Sequence, residues 1–291
     1  MPLRLAFVDF WPDFDPKHNI FVSAIRHQLP EQSILIVDSD ENYDICFCSV
    51  FGRERLGHRR RVMYLGENIR PDYSQCEASL SCDYESYSGR NEYLPLWLLE
   101  VDFFRDNPKT VLSFPGYEEL CSKPEVPDSY ACRSNRVCAI FNNRDLGRIN
   151  MLESIKETNM LDGYGRYFGR SFPPGARSKI KLLQGYKFHF CTENSYWPGY
   201  VTEKLLHAKI AGCIPIYDSR NDVAGHFNAN SFIDLRNVDS SSLPKVIEAL
   251  LMDPSGQESF LSEPLFHCLP YSPDDVASII TKVALRALLH D

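Results

Sequence analysis

Along the first part of the chain, apolar residues come in short runs separated by polar connections: residues 3–10 (LRLAFVDF), 33–38 (SILIVD), 43–50 (YDICFCSV) and 61–68 (RVMYLGEN). Runs of this length, bounded by turn-forming residues, predict strands. Residues 17–29 (KHNIFVSAIRHQL) repeat their apolar positions at helical spacing and predict a helix between the first two strands. Strand and helix in turn, without a hairpin dipeptide between them, predict a parallel sheet of βαβ units. The functional ends of such strands are their carboxyl ends.

The rhythm breaks over 107–136, where Pro108, Pro115, Gly116, Pro124 and Pro127 predict a linker. It then restarts: a strand over 136–143, a helix over 147–158, a short strand and turn over 161–168 and a strand over 186–194. A helix over 202–212 and strands over 213–218 and 231–235 follow. A last helix carries Val276, Ile279, Ile280, Val283 and Ala287 at helical spacing. The division that follows is an N-terminal Rossmann-like domain over 1–125, a C-terminal one over 126–270, and a terminal helix over 271–291 placed back against the N-terminal domain. In a two-lobed α/β protein of this kind the ligand is expected in the cleft between the lobes.

With 291 residues, 44% of them hydrophobic, the chain is long enough for two cores. A formal charge of −8 argues against nucleic acid as a partner, because neutralising phosphates needs a basic surface. The first residues lack a signal-peptide core, and no window reaches the ~18 apolar residues of a membrane span. The expectation is a soluble, cytoplasmic protein with at most peripheral membrane contact. Ten cysteines are spread thinly through the chain and are expected to be reduced and mostly buried. Cys46 and Cys48 share one face of a strand, a spacing that fits packing better than zinc.

Candidate chemistry concentrates at the joint between a strand and a helix, CTENSYWPGYVTEKLLHAKIAGCIPIYDS, residues 191–219. Thr202 is placed to cap the helix and Gly212 to end it, which puts Glu203 and Lys204 in the first turn, where the helix dipole and free N–H groups attract anions. Glu203 would repel phosphate but accept hydrogen bonds from sugar hydroxyls, and Tyr200, Glu193 and Asn194 stand beside it. Together these groups point to a nucleotide-sugar site. The alternative, that Glu203 merely complements the helix dipole, stays open.

This stretch closely resembles the donor-binding motif of the α1,3/4-fucosyltransferase family, glycosyltransferase family ten. FNNRDLGRINMLESI (141–155) is similar to that family's Asn-containing strand end followed by Arg and a helix, LDGYGRYFG (161–169) to its Asp-Gly turn, and YLGENIRPDY (64–73) to the segment that carries its catalytic carboxylate. The resemblance implies the GT-B fold, two Rossmann-like domains facing a central cleft. It also implies an inverting transfer of L-fucose from GDP-β-L-fucose to a hydroxyl of an N-acetylglucosamine-containing glycan, α1,3- or α1,3/4-linked. Carried over by position, Glu67 becomes the general base, while Arg148 and Lys204 hold the diphosphate. Asn194, Tyr200, Glu203, Glu193, Asn142 and Asp162 become donor-binding residues. No cofactor is required on this reading, although a divalent metal could stimulate; the acceptor would be an oligosaccharide of N-acetyllactosamine type. A bacterial enzyme building Lewis-type or lipopolysaccharide glycans is the matching setting.

The roles agree with the chemistry, since an inverting displacement needs one carboxylate to take the acceptor proton and positive charge for the departing GDP. One departure concerns the residues after IPIY, where the family has glycine within two positions and this chain has Asp218 and Ser219. The Asp-Ser-Asp at 38–40 has the form of a metal-binding tripeptide but falls in the half opposite the donor motif. The basic run over 53–61 reads as a solvated loop that could meet an anionic lipid or glycan. His189, alternating with Phe188 and Phe190, reads as structural, while Tyr196 and Trp197 could stack on a base or sugar or plug the cleft. Two other functions remain open: a GT-B transferase using another nucleotide sugar, and a non-catalytic nucleotide- or glycan-binding protein.

Overall fold

The computed structural model describes residues 1–105, 115–218, 220, 226–268 and 270–289, without the side chain of Leu56. They divide into two compact units. The first comprises the described residues of Met1–Gly116, Trp197–Val201 and Tyr271–Asp291, and the second those of Tyr117–Tyr196 and Thr202–Pro270. Pro108 and the end of the predicted terminal helix lie outside the described residues.

In the first unit six strands form one parallel sheet in the order β2-β1-β3-β4-β5-β6. They are β1 (Leu3–Val8), β2 (Ile34–Ile36), β3 (Ile45–Cys48), β4 (Arg61–Leu65), β5 (Ala78–Ser81) and β6 (Asn91–Tyr93). Helix α1 (Ile20–Gln28) starts where the Asn19 side chain accepts from the N–H groups of Phe21 and Val22, both at 3.1 Å. Strands β3 and β5 are buried along their whole length, as parallel strands covered on both faces are. No alternating apolar pattern announces β5 and β6, because they are held partly by polar side chains. The Asn91 Oδ1 accepts from Ser79 and Ser81 at 2.8 Å each, and its Nδ2 donates to the carbonyls of Asp83 and Glu85 at 2.9 Å. Loops and short 3-10 turns join β3 to β6.

A second parallel sheet, ordered β11-β10-β9-β7-β8, forms the other unit. Its elements are β7 (Ser134–Ile140), α2 (Leu146–Glu157), β8 (Leu161–Tyr164), α3 (Ala176–Leu183), β9 (Tyr186–Phe190), α4 (Lys204–Ile210), β10 (Ile214–Tyr217), β11 (Ile233–Asp234), α5 (Leu243–Leu251) and α6 (Pro254–Ser262). Val137, Ala139, Phe188, Phe190, Ile214 and Ile216 alternate into one core with Leu152 and Ile155 of α2 and Ile247 of α5. The stretch after residue 116 is not the bare linker its prolines predicted. Leu120 and Tyr130 are buried, and the Leu120 carbonyl accepts from Phe266 N at 3.2 Å, which draws residues 117–125 into this unit.

The last helix, α7 (Pro273–Leu289), belongs to the first unit and packs on α1 and on the sheet at β5 and β6. It buries Val276, Ala277, Ile280, Val283, Ala284 and Ala287, a stripe of helical period, while Ile279 is only half-buried at its margin. Among the described residues no helix is long and apolar enough to cross a membrane. Because Ile280 is fully buried, Ile280→Ala is expected to destabilise the protein by about 2–5 kcal/mol. Met252→Ala, at a side chain 85% exposed, is expected to change stability by no more than about 0.5 kcal/mol, both read from denaturant unfolding.

Candidate active site

The carboxyl ends of the second sheet's strands open into a cavity of about 160 Å³. Its lining comes from two strand ends and one helix start: Asp145, Gly147, Arg148 and Met151 around the start of α2, Thr192, Glu193, Ser195 and Tyr196 after β9, and Asp218 and Arg220 after β10. Asp145 caps α2 by accepting from Arg148 N at 2.8 Å, which places Arg148 in the first turn. The guanidinium then lies 3.8 Å over the Phe141 ring and donates to the Asn143 carbonyl at 2.8 Å. A cation packed on an aromatic face is fixed in direction before any ligand arrives.

Glu193 organises the joint between β9 and α4. Its carboxylate is buried and accepts from Thr202 N at 2.8 Å, Thr202 Oγ1 at 2.8 and 2.9 Å, Tyr217 OH at 3.0 Å and Lys204 Nζ at 2.8 Å. Burial, and then the neighbouring Glu193 charge, push the Tyr217 hydroxyl well above its ordinary pKa, so it remains a donor. This overturns the predicted cap. The Thr202 hydroxyl is spent on Glu193, α4 begins at Lys204, and Glu203 takes the cap position with no side-chain cap bond. Gly212 ends α4 as predicted, with φ +69°, the left-handed conformation suited to glycine.

The remaining predicted donor residues of this unit separate. Arg148 and Glu193 line the cavity, and Lys204 is bonded to Glu193 beside it. Asn194 lies between two lining residues, half-buried. Glu203 is outside the lining and pairs instead with Lys179 of α3 at 3.0 Å. Burial opposes its charge, but Lys179, Lys204 and His207 outweigh burial and hold the carboxyl well below the usual range. Asn142 braces the turn after β8, its Oδ1 accepting from Arg166 N at 3.2 Å. Asp162 sits in β8 opposite Cys138, accepts from Arg136 Nε at 2.8 Å and Tyr186 OH at 3.0 Å, and is outside the cavity lining.

In the first unit β4 ends at Leu65 and Glu67 follows. Tyr200, expected in the donor pocket, belongs to this unit and is buried, with its hydroxyl donating to Glu67 Oε2 at 3.3 Å. The sequence pattern assigned 197–201 to the C-terminal domain because the segment connects β9 to α4. Its packing against β5 and β6 residues decides otherwise, with Tyr93 OH donating to the Gly199 carbonyl at 2.9 Å. Trp197 lies here too, beneath Arg70, whereas Tyr196 lines the cavity of the second unit.

Two sequence profiles match the chain. One, described as the alpha-(1,3)-fucosyltransferase FucT N-terminal domain, covers residues 5–100, and the other, the glycosyltransferase family 10 (fucosyltransferase) C-terminal part, covers residues 131–262. The chain belongs to glycosyltransferase family 10. A Helicobacter pylori alpha-(1,3)-fucosyltransferase FucT is 24% identical over 279 residues, 82% of this chain and 56% of that protein. The bovine 4-galactosyl-N-acetylglucosaminide 3-alpha-L-fucosyltransferase 9 is 28% identical over 134 residues, 44% of this chain and 36% of that one. The chain thus spans little more than half the length of the bacterial relative. A crystal structure of an alpha1,3-fucosyltransferase with GDP-fucose superposes with a TM-score of 0.68 at 20% identity, covering 97% of this chain and 90% of that one. The likeness establishes the GT-B class of fold, two Rossmann-like units with parallel sheets.

Within this family 10 chain several site residues carry no local sequence signal. Lys179 is 24 positions from Glu203, and only folding brings α3 beside α4. Asp218, noted as a departure, lines the cavity and accepts from Arg220 Nε at 2.8 and 3.0 Å; Ser219 lies outside the described residues. Asp145 was legible as an Asp three residues before Arg148 at a helix start. The basic run is largely paired within its own unit, Arg55 with Asp9 at 3.3 Å and Arg61 with Glu77 at 3.7 Å. Among the described residues no group of three or more His, Cys, Asp or Glu is placed to hold a metal ion.

His189 is structural: it is 2% exposed, and its Nδ1 lies 3.0 Å from the Cys138 carbonyl. Burial, reinforced by the Lys179 charge, lowers its pKa to about 3. The unfolded chain therefore binds a proton at pH 5 that the folded protein does not, so stability falls as pH drops below about 6.5. His189→Asn is expected to flatten the decline of melting temperature between about pH 6.5 and 5, a difference visible in paired thermal scans.

Proposed function

We propose that the protein is an inverting α1,3-fucosyltransferase that moves L-fucose from GDP-β-L-fucose to a hydroxyl of an N-acetylglucosamine-containing glycan. The observation that carries the reading is Arg148, which lines the second-unit cavity packed on Phe141, together with Lys204, bonded to the lining residue Glu193. Family membership and the fucosyltransferase relatives support the sugar and the class of acceptor. In the reaction the acceptor oxygen bonds to the anomeric carbon as that carbon's bond to the diphosphate oxygen breaks. Glu67 takes the acceptor's proton, and Arg148 and Lys204 stabilise the negative charge that collects on GDP. No divalent cation takes part in this scheme.

Lys204 also explains the cost of the Glu193 network. A lysine that grips phosphate must not be drawn away by the carboxylate beside it. Glu193 already accepts from Thr202 and Tyr217 as well as from Lys204, so its charge is shared among several donors. A second reading, transfer from a different nucleotide sugar, draws on Asp218, a carboxylate lining the cavity where the family pattern leads to glycine.

Calorimetric titration with GDP, GDP-fucose, GDP-mannose and UDP-galactose separates the two. Binding confined to the guanosine ligands supports the fucosyl donor, and binding of the uridine ligand alone supports the second reading. Glu67→Gln is expected to lower transfer to N-acetyllactosamine by about 10²–10⁴ with GDP affinity unchanged. Lys204→Ala is expected to weaken GDP binding as well as rate. Tight GDP binding with no change in turnover on Glu67→Gln would instead fit a protein that binds nucleotide without catalysing transfer.

A further inference from the structure

Residues 197–201 form a short strap on the first unit, and each of its fixings leads to Glu67. Arg70, three residues after Glu67, lies with its Cζ 4.2 Å over the Trp197 ring. The same guanidinium pairs with Asp83 at 3.2 Å, donates to Asn68 Oδ1 at 2.6 Å and meets Cys82 Sγ at 3.3 Å. Asp83 is nearly buried and is itself fixed by Tyr87 OH at 2.7 Å. Gly199 approaches β5 so closely that a Cβ there would stand 2.6 Å from the Cys82 carbonyl, and its φ of +84° suits glycine alone. Tyr93 OH holds the Gly199 carbonyl, and the next residue, Tyr200, reaches Glu67 Oε2.

We infer that this strap is a positioning device for Glu67, and that Arg70 is its anchor. A half-buried carboxylate on a loop has several rotamers, of which only one serves an incoming hydroxyl. The Tyr200 hydroxyl selects that one by occupying a single carboxylate oxygen, Oε2, and leaving Oε1 to receive the proton. Tyr200 can do so only while Trp197 and Gly199 are seated, and Arg70 seats Trp197 from the loop that carries the base. Arg70 is thus a positioning residue acting through Trp197 and Tyr200. The inference rests on Glu67 being the base and adds to it the means by which that base is aimed.

A double-mutant cycle tests it in the transfer assay with GDP-fucose and N-acetyllactosamine. Arg70→Ala is expected to lower kcat by about 10- to 100-fold, the loss typical of a reacting group misplaced by about an ångström. GDP affinity and the KM for donor should stay within about twofold, since a misplaced base costs rate and not binding. Tyr200→Phe, which removes one hydroxyl and keeps the ring, should lower kcat in the same way, so the test survives if Arg70→Ala folds poorly. In a Glu67→Gln background neither change should cost anything further, because residues that act as one unit are not additive. Unchanged kcat for both single variants beside an inactive Glu67→Gln overturns the strap and leaves the base in place. An equal loss in both backgrounds, or a fall in GDP affinity that accounts for the loss, also overturns it. If Glu67→Gln transfers as well as the parent, or the parent transfers nothing, the base reading fails and the inference falls with it.

Discussion

Glu193 carries its charge out of water at the end of β9, and a buried carboxylate persists only where donors surround it. That requirement shapes the joint on which the candidate site depends. Thr202 gives both its backbone N–H and its hydroxyl, Tyr217 gives its hydroxyl from β10, and Lys204 gives its ammonium from the first residue of α4. The start of α4 is therefore set by the carboxylate and not by a conventional cap. Removing Lys204 would leave the buried Glu193 carboxylate without its charged partner, a loss of about 3–5 kcal/mol in comparable buried pairs. The interaction joins β9, β10 and α4 through one side chain.

A second division of labour runs through the same residues. Burial alone would disfavour charge on Glu193 and Glu203, yet both stand beside lysines, Lys204 and Lys179 respectively. The acidic groups of this stretch thus turn inward and are engaged by lysines of the same unit. Glu203 stands outside the cavity lining, its carboxylate engaged by Lys179. Asp218 adds an acidic rim balanced by Arg220. The cavity carries charge of both signs, Arg148 and Arg220 beside Asp145, Glu193 and Asp218.

The strand-and-helix rhythm was legible wherever apolar residues dominate. Leu3–Val8, Ile45–Cys48, Tyr186–Phe190 and Ile214–Tyr217 lie inside the predicted runs because most of their side chains are apolar and buried, Arg4, Lys187 and His189 excepted. Strands β5 and β6 escaped notice since their buried Ser79, Ser81 and Asn91 are satisfied by side chains and carbonyls that only the fold brings together, a condition invisible along the chain. Helix α3 escaped because its Lys and Arg content resembles a solvated loop until Leu183 is seen buried. The places of Arg148 and Lys204 at helix starts were legible from spacing. The partners of Asp162, Arg136 and Tyr186, were not, being far off in sequence.

What this sequence determined by itself was local: the period of each buried element, the capping of α1 and α2 by Asn19 and Asp145, the glycine stop at Gly212, and the concentration of polar residues after β9. Each follows from neighbours within a few positions, which sequence spacing encodes directly. Only the tertiary structure decided which polar group meets which. It drew Lys179 to Glu203, gave Tyr200 to Glu67 and not to the cavity of the second unit, and moved 197–201 into a unit whose other residues are far from it in sequence. Such pairings depend on long-range packing and on the demand that buried charges and donors be satisfied. That demand constrains the folded chain as a whole and leaves no periodic mark in the sequence.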